Sequence, residues 1–495
     1  MQVKQTRPAW FTRLSSAFAA EASSLPALLL LTFFLLAFAT HGGQVASAQD
    51  DLPAPPPLQW FKGNLHTHSL WSDGNDFPEM IVDWYVRQGY HFLALSDHNI
   101  LSEGEKWIDV EATVKRGAIG GLDRYRKRFG DEWVQTRNKD GKQQVRLKPL
   151  QDFRTMFEQP GKFLLLQGEE LTDRFEDLPV HVNASNIRDL IKPQGGKSLR
   201  ETIANNLIAV QQQAQRVGQP ILAHLNHPNF HYAVTAEDMA AVVEEQFFEV
   251  YNGHPDVGHR GDKNRIGTER MWDVANTIRV GEMQTAPLYG LATDDSHNYF
   301  GERGASPGRG WIMVHSRRLN PSALIQAIGR GEFYASSGVE LKSVKYDAES
   351  KLLTIDIARR NGATYVTEFI GTLKDYDRKN EPAVDEKGQP IRATRRYSAD
   401  VGKVLAKVEG LQPAYQLTGD ELYVRAVVTS TEKPTNPAFE GQFQQAWTQP
   451  VGFEKWVKPA PAKGPDASKS DAEKGDAPKA EAPKPSAPTK TEAPK

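Results

Sequence analysis

The chain of 495 residues has no cysteine. That absence excludes disulfides, thiolate-held zinc, iron–sulfur clusters and cysteine nucleophiles together, so any bound metal must be held by His, Asp and Glu. Charge of one sign is also lacking. Lys and Arg number 60 against 62 Asp and Glu, a formal net charge of −2. Nucleic-acid and anionic-membrane binders usually carry a basic excess, and neither partner is expected here. No G-x-x-x-x-G-K-[ST] loop is present for a nucleoside triphosphate. Hydrophobic content of 39% and charged content of 25% are ordinary for a globular chain, and the length suits two or three domains.

Long apolar runs are scarce, with one near the start. Lys4, Arg7 and Arg13 precede the run LPALLLLTFFLLAFA at 25–39, and Ala46 and Ala48 follow. This is the order of a cleavable export signal, with cleavage expected after Ala48. The run is short for a bilayer core of roughly 30 Å. The expected location is therefore exported, periplasmic or secreted, with no membrane span in the mature chain. An uncleaved anchor is the other reading. Residues 49–57 form a Pro-rich linker. From 458 to 495 the chain is mostly Pro, Ala, Lys, Asp, Glu and Ser, too polar to bury a core, and reads as a disordered tail.

Between these ends, strand-like and helix-like patterns alternate. HFLALSD (91–97), FLLLQGEE (163–170), PILAHLNHP (220–228), FFEVYN (247–252) and LYGLATDDSH (288–297) are short apolar runs ending in polar residues. Helical spacing occupies 76–89, 198–218 and about 267–280 between them. The alternation predicts an α/β domain with parallel strands and helices outside. After about 340, runs such as LLTIDIA and ELYVRAVVT predict a small antiparallel β domain over 340–457.

Histidine is unevenly spread. Twelve of the thirteen lie between 66 and 315, and His41 is in the leader. The chemistry-bearing residues follow the apolar strand runs: His66 and His68, Asp97 and His98, Glu170, His224 and His227, Asp295 and His297. Active sites of (β/α) barrels sit at those strand ends. In H-T-H, side chains at i and i+2 of an extended chain point the same way, so His66 and His68 can meet one ion. Asp295 and His297 repeat the spacing. Glu170 can bridge two ions, His98, His181 and His227 add nitrogens, and Asp73 can bind directly or orient a histidine. These exceed one tetrahedral site, which points to two or three divalent ions; N/O ligation without sulfur suits Zn, Mn or Fe.

LHTHSLWSDG, LALSDHN, GEELTD, HLNHP and TDDSH, in this order, resemble the motifs of the PHP (polymerase and histidinol phosphatase) superfamily. EVYNG, PGRGWIMV, LIQAIGRGEFYASSG and QAWTQPVGF resemble its exported, carbamate-hydrolase-like branch. The resemblance implies a distorted (β/α)7 barrel over 58–339 with a two- or three-metal site. It implies His66, His68, Asp73, His98, Glu170, His181, His227, Asp295 and His297 as ligands. Three doublets, Glu169/Glu170, His224/His227 and Asp294/Asp295, each offer two candidates, and the family pattern matches the second of each.

The expected activity is that of an exported phosphoesterase using a metal-bound hydroxide, with His66, His68, Glu170 and Asp295 as the catalytic core. No side-chain nucleophile is indicated. The same ligands would serve hydrolysis of an ester, amide or carbamate. A non-catalytic periplasmic metal-binding protein is the third reading. The expected partner is a small-molecule ester, phosphorylated in the leading reading. Arg303 and Arg309, close behind TDDSH, are candidate phosphate contacts. Arg124, Arg126, Lys127 and Arg128, in a long insertion at 101–161, read as a solvated face or a cover over an anion. Asp97 reads as a support for His98 or a plain strand-end carboxylate. Glu249 and Asn252 could face the pocket or stabilise a strand end. His91 and His315 read as structural; His231, His254 and His259 lie in loops, solvated unless one serves as an acid or substrate contact.

Overall fold

The short apolar runs become strands of one long, curled sheet. The structure is a computed structural model describing residues 55–300 and 304–458. The export signal (1–48), most of the linker, Arg303 and the tail from 459 lie outside the described residues. Among the described residues thirteen strands form the sheet. In chain order they are β1 (Gln59–Asn64), β2 (Phe92–Leu95), β3 (Leu164–Phe175), β4 (Leu178–Ser185), β5 (Leu222–Leu225), β6 (Phe247–Asn252), β7 (Tyr289–Thr293), β8 (Trp311–Ser316), β9 (Phe333–Ser336), β10 (Tyr365–Leu373), β11 (Lys403–Glu409), β12 (Glu421–Ser430) and β13 (Gln445–Thr448). Their spatial order is β7-β6-β5-β4-β3-β2-β1-β8-β9-β13-β12-β10-β11.

Pairing is mixed, not the all-parallel series that the alternation predicts. β1, β2 and β3 run parallel, as do β5, β6 and β7. Between the two groups stands β4, antiparallel to both neighbours. The sequence reading ends the third strand near Glu170 and does not foresee β4. In the structure β3 runs on to Phe175 and folds back through Glu176, whose φ of 53° closes the turn. Leu171, Val180, Val182 and Ala184 bury the apolar side of this hairpin. β8 returns antiparallel to β1, and β7 lies against β8 and β9 without pairing to them. Phe61, Ala94, Leu166, Leu222, Phe247, Leu291 and Val314, from β1 to β3 and β5 to β8, share one buried cluster inside the curl. Helices cover the outside. In the helix Leu199–Val217, Ser198 caps the start by accepting from Glu201 N, and Gly218 at φ 66° ends it.

The strands after residue 340 are antiparallel and extend the same sheet through β9 and β13, with Ala335 opposite Trp447. A three-stranded sheet, 341–347, 352–357 and 414–416, closes over Leu353, Ile355, Phe369 and Val424. The insertion at 101–161 folds as another small sheet with short helices.

A buried ion pair ties β12 to the helix Thr268–Ile278. Arg425 donates to both Asp273 oxygens, at 2.8 and 2.7 Å, under the Trp272 ring. Tyr423 Oη adds a bond to the same carboxylate at 3.0 Å. Removing one partner of such a pair leaves an uncompensated charge in the core. Asp273→Ala is expected to cost about 3–5 kcal/mol, read as a lower midpoint in urea unfolding.

Candidate metal centre

His66 and His68 stand just past the end of β1, on a segment held on both sides. Thr67 O accepts from Ser96 N at 2.9 Å beyond β2, and His68 N donates to Ser296 O at 2.9 Å beyond β7. Both rings are fully buried, with centroids 5.1 Å apart. Asp97 does not hold His98. It accepts from the backbone and hydroxyl of Ser69 (2.8 and 2.7 Å) and of Ser72 (3.0 and 2.6 Å), which fixes the S-D-G turn and presents Asp73. His98 bridges to Glu170 beyond the ends of β2 and mid-β3. The β3–β4 hairpin sets His181 opposite Thr172, two residues from Glu170. His227 and Asp295 adopt positive φ, 23° and 48°, a strained backbone at two site residues.

Glu170 is the hub. His66 Nε2 and His181 Nδ1 lie 3.4 and 3.0 Å from its Oε1, and His227 Nε2 lies 3.5 Å away. His68 Nε2 and His98 Nδ1 lie 3.4 and 2.8 Å from its Oε2. Asn226 Nδ2 donates to Oε1 at 2.7 Å. Asp295 Oδ1 is 3.2 Å from both His66 Nε2 and His68 Nε2. At the mouth Asp73, its side chain 55% exposed, approaches His98 Nε2 and His297 Nε2 at 3.4 Å each. A cavity of about 160 Å³ opens onto these groups, with Phe230, His254 and Val257 completing its described wall.

Every ligand candidate from the sequence therefore reaches one cluster. Among the described residues five overlapping sets have donor atoms close enough to hold an ion. Four combine those candidates alone: His68, Asp73, His98 and His297; His66, Glu170 and His227; His66, His68 and Asp295; His98, Glu170 and His181. Glu170 belongs to two of them. The buried atoms His66 Nε2 and His68 Nε2 have no hydrogen-bond partner among the described residues, and Glu170 Oε2 has only the His98 ring nitrogen, 2.8 Å away. Buried polar atoms are rarely left so, and these three converge within the sets that would hold a cation. The N/O donor set fits a divalent metal such as zinc, manganese or iron(II).

The electrostatics are those of buried carboxylates and imidazoles crowded together. Burial would lift the Glu170 carboxyl, but His98, His181 and His66 outweigh it and hold it well below the usual range. Burial is likewise outweighed at Asp295, by His66, His68 and His297. Burial, with His297 and His98 alongside, pushes His68 down to about 3 and keeps its ring neutral. Burial would also lower His66, but Asp295, Glu249 and Glu170 raise it well above the ordinary value. Burial would lower His98, His227 and His297 too, but the carboxylates around them raise all three, His98 to about 11. The ionised carboxylates and the neutral His68 are already in ligating form, whereas metal would displace a proton from His66 and His98.

The doublets separate by direction. Glu169 turns away and accepts from Ile191 N at 2.8 Å; burial lifts its carboxyl to about 8. Asp294 accepts from Tyr85 Oη and from the backbone of Gly308, Arg309 and Gly310, so it anchors the following loop. His227 faces Glu170, and His224 sits behind His66, 3.5 Å from Glu249. Glu249, which the sequence left open, faces the site. It meets His66 Nδ1 at 2.7 Å and accepts from Thr293 Oγ1, His227 N and Asn252 Nδ2. A proton on Nδ1 leaves the Nε2 lone pair free for metal. Glu249 and His224 also form, with His66, the fifth candidate set. The sequence marked Glu249 only by its place near the polar end of the F-F-E-V-Y-N run.

Arg309 is not free for a phosphate. Its guanidinium donates to Gly253 O, Gly304 O and Asn436 Oδ1, so the candidate phosphate contact is a loop tie. Arg124 stacks on Phe300, and Arg128 pairs with Asp83. His315 stacks on Trp60, His91 accepts from Lys62 N, and His259 packs between Tyr251 and Phe439. Gly304–Gly308 reads G-x-S-x-G, but Ser306 lies in a loop ahead of β8, not at the strand-to-helix turn of a serine nucleophile.

No family model matches the chain, and no curated protein matches it. Solved structures with some likeness include a two-domain protein from Bacteroides vulgatus ATCC 8482, whose PHP-like metal-dependent phosphoesterase part is itself assigned by prediction. It has a TM-score of 0.34 and 13% identity over 80% of this chain and 97% of that one. A candidate metal-dependent phosphoesterase from Bifidobacterium adolescentis ATCC 15703 has a TM-score of 0.24 and 16% identity over 51% of this chain and 94% of that one. An amidohydrolase from Chromobacterium violaceum, with bound sulfate and no metal, has a TM-score of 0.23 and 15% identity over 49% and 89%. These likenesses are weak, and the functional reading rests on the site itself.

The two adjacent glutamates make a direct test. Stripped with chelator and reloaded with Zn²⁺ or Mn²⁺, the Glu170→Gln chain is expected to hold at least one ion fewer than wild type by elemental mass spectrometry. Glu169→Gln is expected to hold the full complement.

Proposed function

We propose that this chain is an exported metal-dependent hydrolase of the PHP type, acting on a phosphoester. The observation that supports it most is Glu170, a buried carboxylate shared by two ligand sets and crowded by five histidines. A shared carboxylate is how adjacent ions are held together, and multi-ion clusters serve hydrolysis more than storage. Export is supported by the basic, apolar and A-x-A order of the first 48 residues.

His66, His68, Asp73, His98, Glu170, His181, His227, Asp295 and His297 would hold two or three ions. Bound there, divalent ions supply an activated water at neutral pH and offset charge developing on the substrate. The residues do the rest. With metal bound, Glu249 would keep the remaining His66 proton on Nδ1 and leave the Nε2 lone pair to the ion. Asn252 Nδ2 holds Asp295 Oδ2 at 3.1 Å and so fixes that carboxylate's angle. Phe230 and Val257 line the cavity with apolar surface and limit water beside the reacting group.

One observation favours a second reading. No lysine or arginine lines the cavity among the described residues. A neutral acyl substrate, an ester, amide or carbamate, needs no such cation, whereas among the described residues a phosphate would meet only metal ions and histidines, Arg303 lying outside them.

The test is hydrolysis by the full-length protein, loaded with Zn²⁺ or Mn²⁺, of an aryl phosphodiester, an aryl phosphomonoester, an aryl acetate and an aryl carbamate. Phosphoester turnover is expected, and it should fall in His66→Ala to the level of chelator-treated protein. Turnover of only the acyl substrates would establish the second reading. Bound metal with no turnover on any of them would support a metal carrier.

A further inference from the structure

His254 lines the metal cavity, yet it belongs to none of the ligand sets. Its position is set with some care. Two residues earlier, Asn252 ends β6 and donates to Glu249 Oε2 at 2.8 Å and Asp295 Oδ2 at 3.1 Å. The free oxygen of the same amide, Oδ1, accepts the backbone N–H of His254 at 2.8 Å. One side chain thus couples the placement of His254 to two site carboxylates. The ring stands edge-on to His297, centroids 5.4 Å apart and planes at 81°.

The ring's tautomer is set as well. His254 Nδ1 accepts the N–H of Asp256 at 3.1 Å. A backbone N–H can only donate, so the neutral imidazole carries its proton on Nε2. Among the described residues no acceptor is bonded to that Nε2–H. The other non-ligand walls, Phe230 and Val257, have no polar side-chain atom. Of the two expected cationic contacts, Arg309 is spent on loop carbonyls and Arg303 lies outside the described residues. His254 is therefore the side chain in the described wall with a donor to spare.

We propose that His254 is the neutral hydrogen-bond donor of this pocket, its Nε2–H binding an oxyanion oxygen of substrate or product beside the metal ions. The proposal rests on the hydrolase reading above and adds the residue that orients the substrate oxygen. A merely structural histidine, packed on His297 and capping its own loop, would contribute nothing to anion affinity.

The experiment uses the full-length chain loaded with Zn²⁺, as wild type, His254→Ala and His254→Gln. Inorganic phosphate and acetate are titrated separately by calorimetry, and metal content is measured by elemental mass spectrometry. All three proteins are expected to hold the same metal. Anion affinity is expected to fall about tenfold in His254→Ala, the worth of one hydrogen bond. His254→Gln, which restores an N–H, should recover most of it. If the alanine chain does not fold, His254→Phe keeps a ring against His297 and carries the same expected loss. Unchanged affinity at unchanged metal content would overturn the proposal, and so would loss of metal, which would make His254 a ligand. Acetate binding without phosphate binding would remove the phosphoester reading while leaving the His254 comparison intact. Metal-loaded wild type that binds neither anion would overturn the donor role outright.

Discussion

The structure depends on one crowded, buried carboxylate. Glu170 has no exposure to water, yet five imidazoles press on its two oxygens. Nearby Asp295 and Glu249 are buried too. Carboxylates and imidazoles removed from water need partners, and hydrogen bonds among themselves do not satisfy all of these atoms. Divalent cations meet that need. The cluster is costly as bare side chains and favourable as a ligand cage, so its energetics and its chemistry are the same fact.

Much of the fold serves to aim this cage. Strand ends beyond β1, β2, β5 and β7 deliver ligands to one rim of the curled sheet, and the β3–β4 hairpin brings His181 across from Thr172. A ring of supporting carboxylates does no ligation by the sequence pattern but sets the geometry. Asp97 shapes the turn that carries Asp73, Asp294 pins the loop after Asp295, and Glu249 fixes the tautomer of His66. Each is buried and hydrogen-bonded, and in the Asp294/Asp295 pair one member faces the site while its neighbour holds the scaffold.

The strand ends were legible because parallel strands buried on both faces read as short apolar runs, and the ligands follow those runs directly. The helix at 199–217 was legible from its apolar spacing and its Ser and Gly terminators. β4 was not. L-P-V-H-V-N-A-S alternates along its length, but a proline stands second in it and its partner is the far part of β3, which polar residues disguise. The continuity of β9 with β13 was equally hidden, since more than a hundred residues separate them and register between distant strands leaves no local mark. At the site, residue type and spacing found the ligands. They offered Glu249 but left its role open, because that role depends on a contact with His66 across 183 residues of chain. They misplaced Arg309 for the same reason, because its acceptors are backbone carbonyls brought together only by folding.

The central claim is that Glu170 joins neighbouring metal ions. Anomalous diffraction from crystals of the Mn²⁺-loaded chain, collected at the manganese edge, tests it most directly. The account predicts two or three peaks within the cluster, with Glu170 touching two of them. A single peak, or peaks that leave Glu170 unliganded, would contradict it.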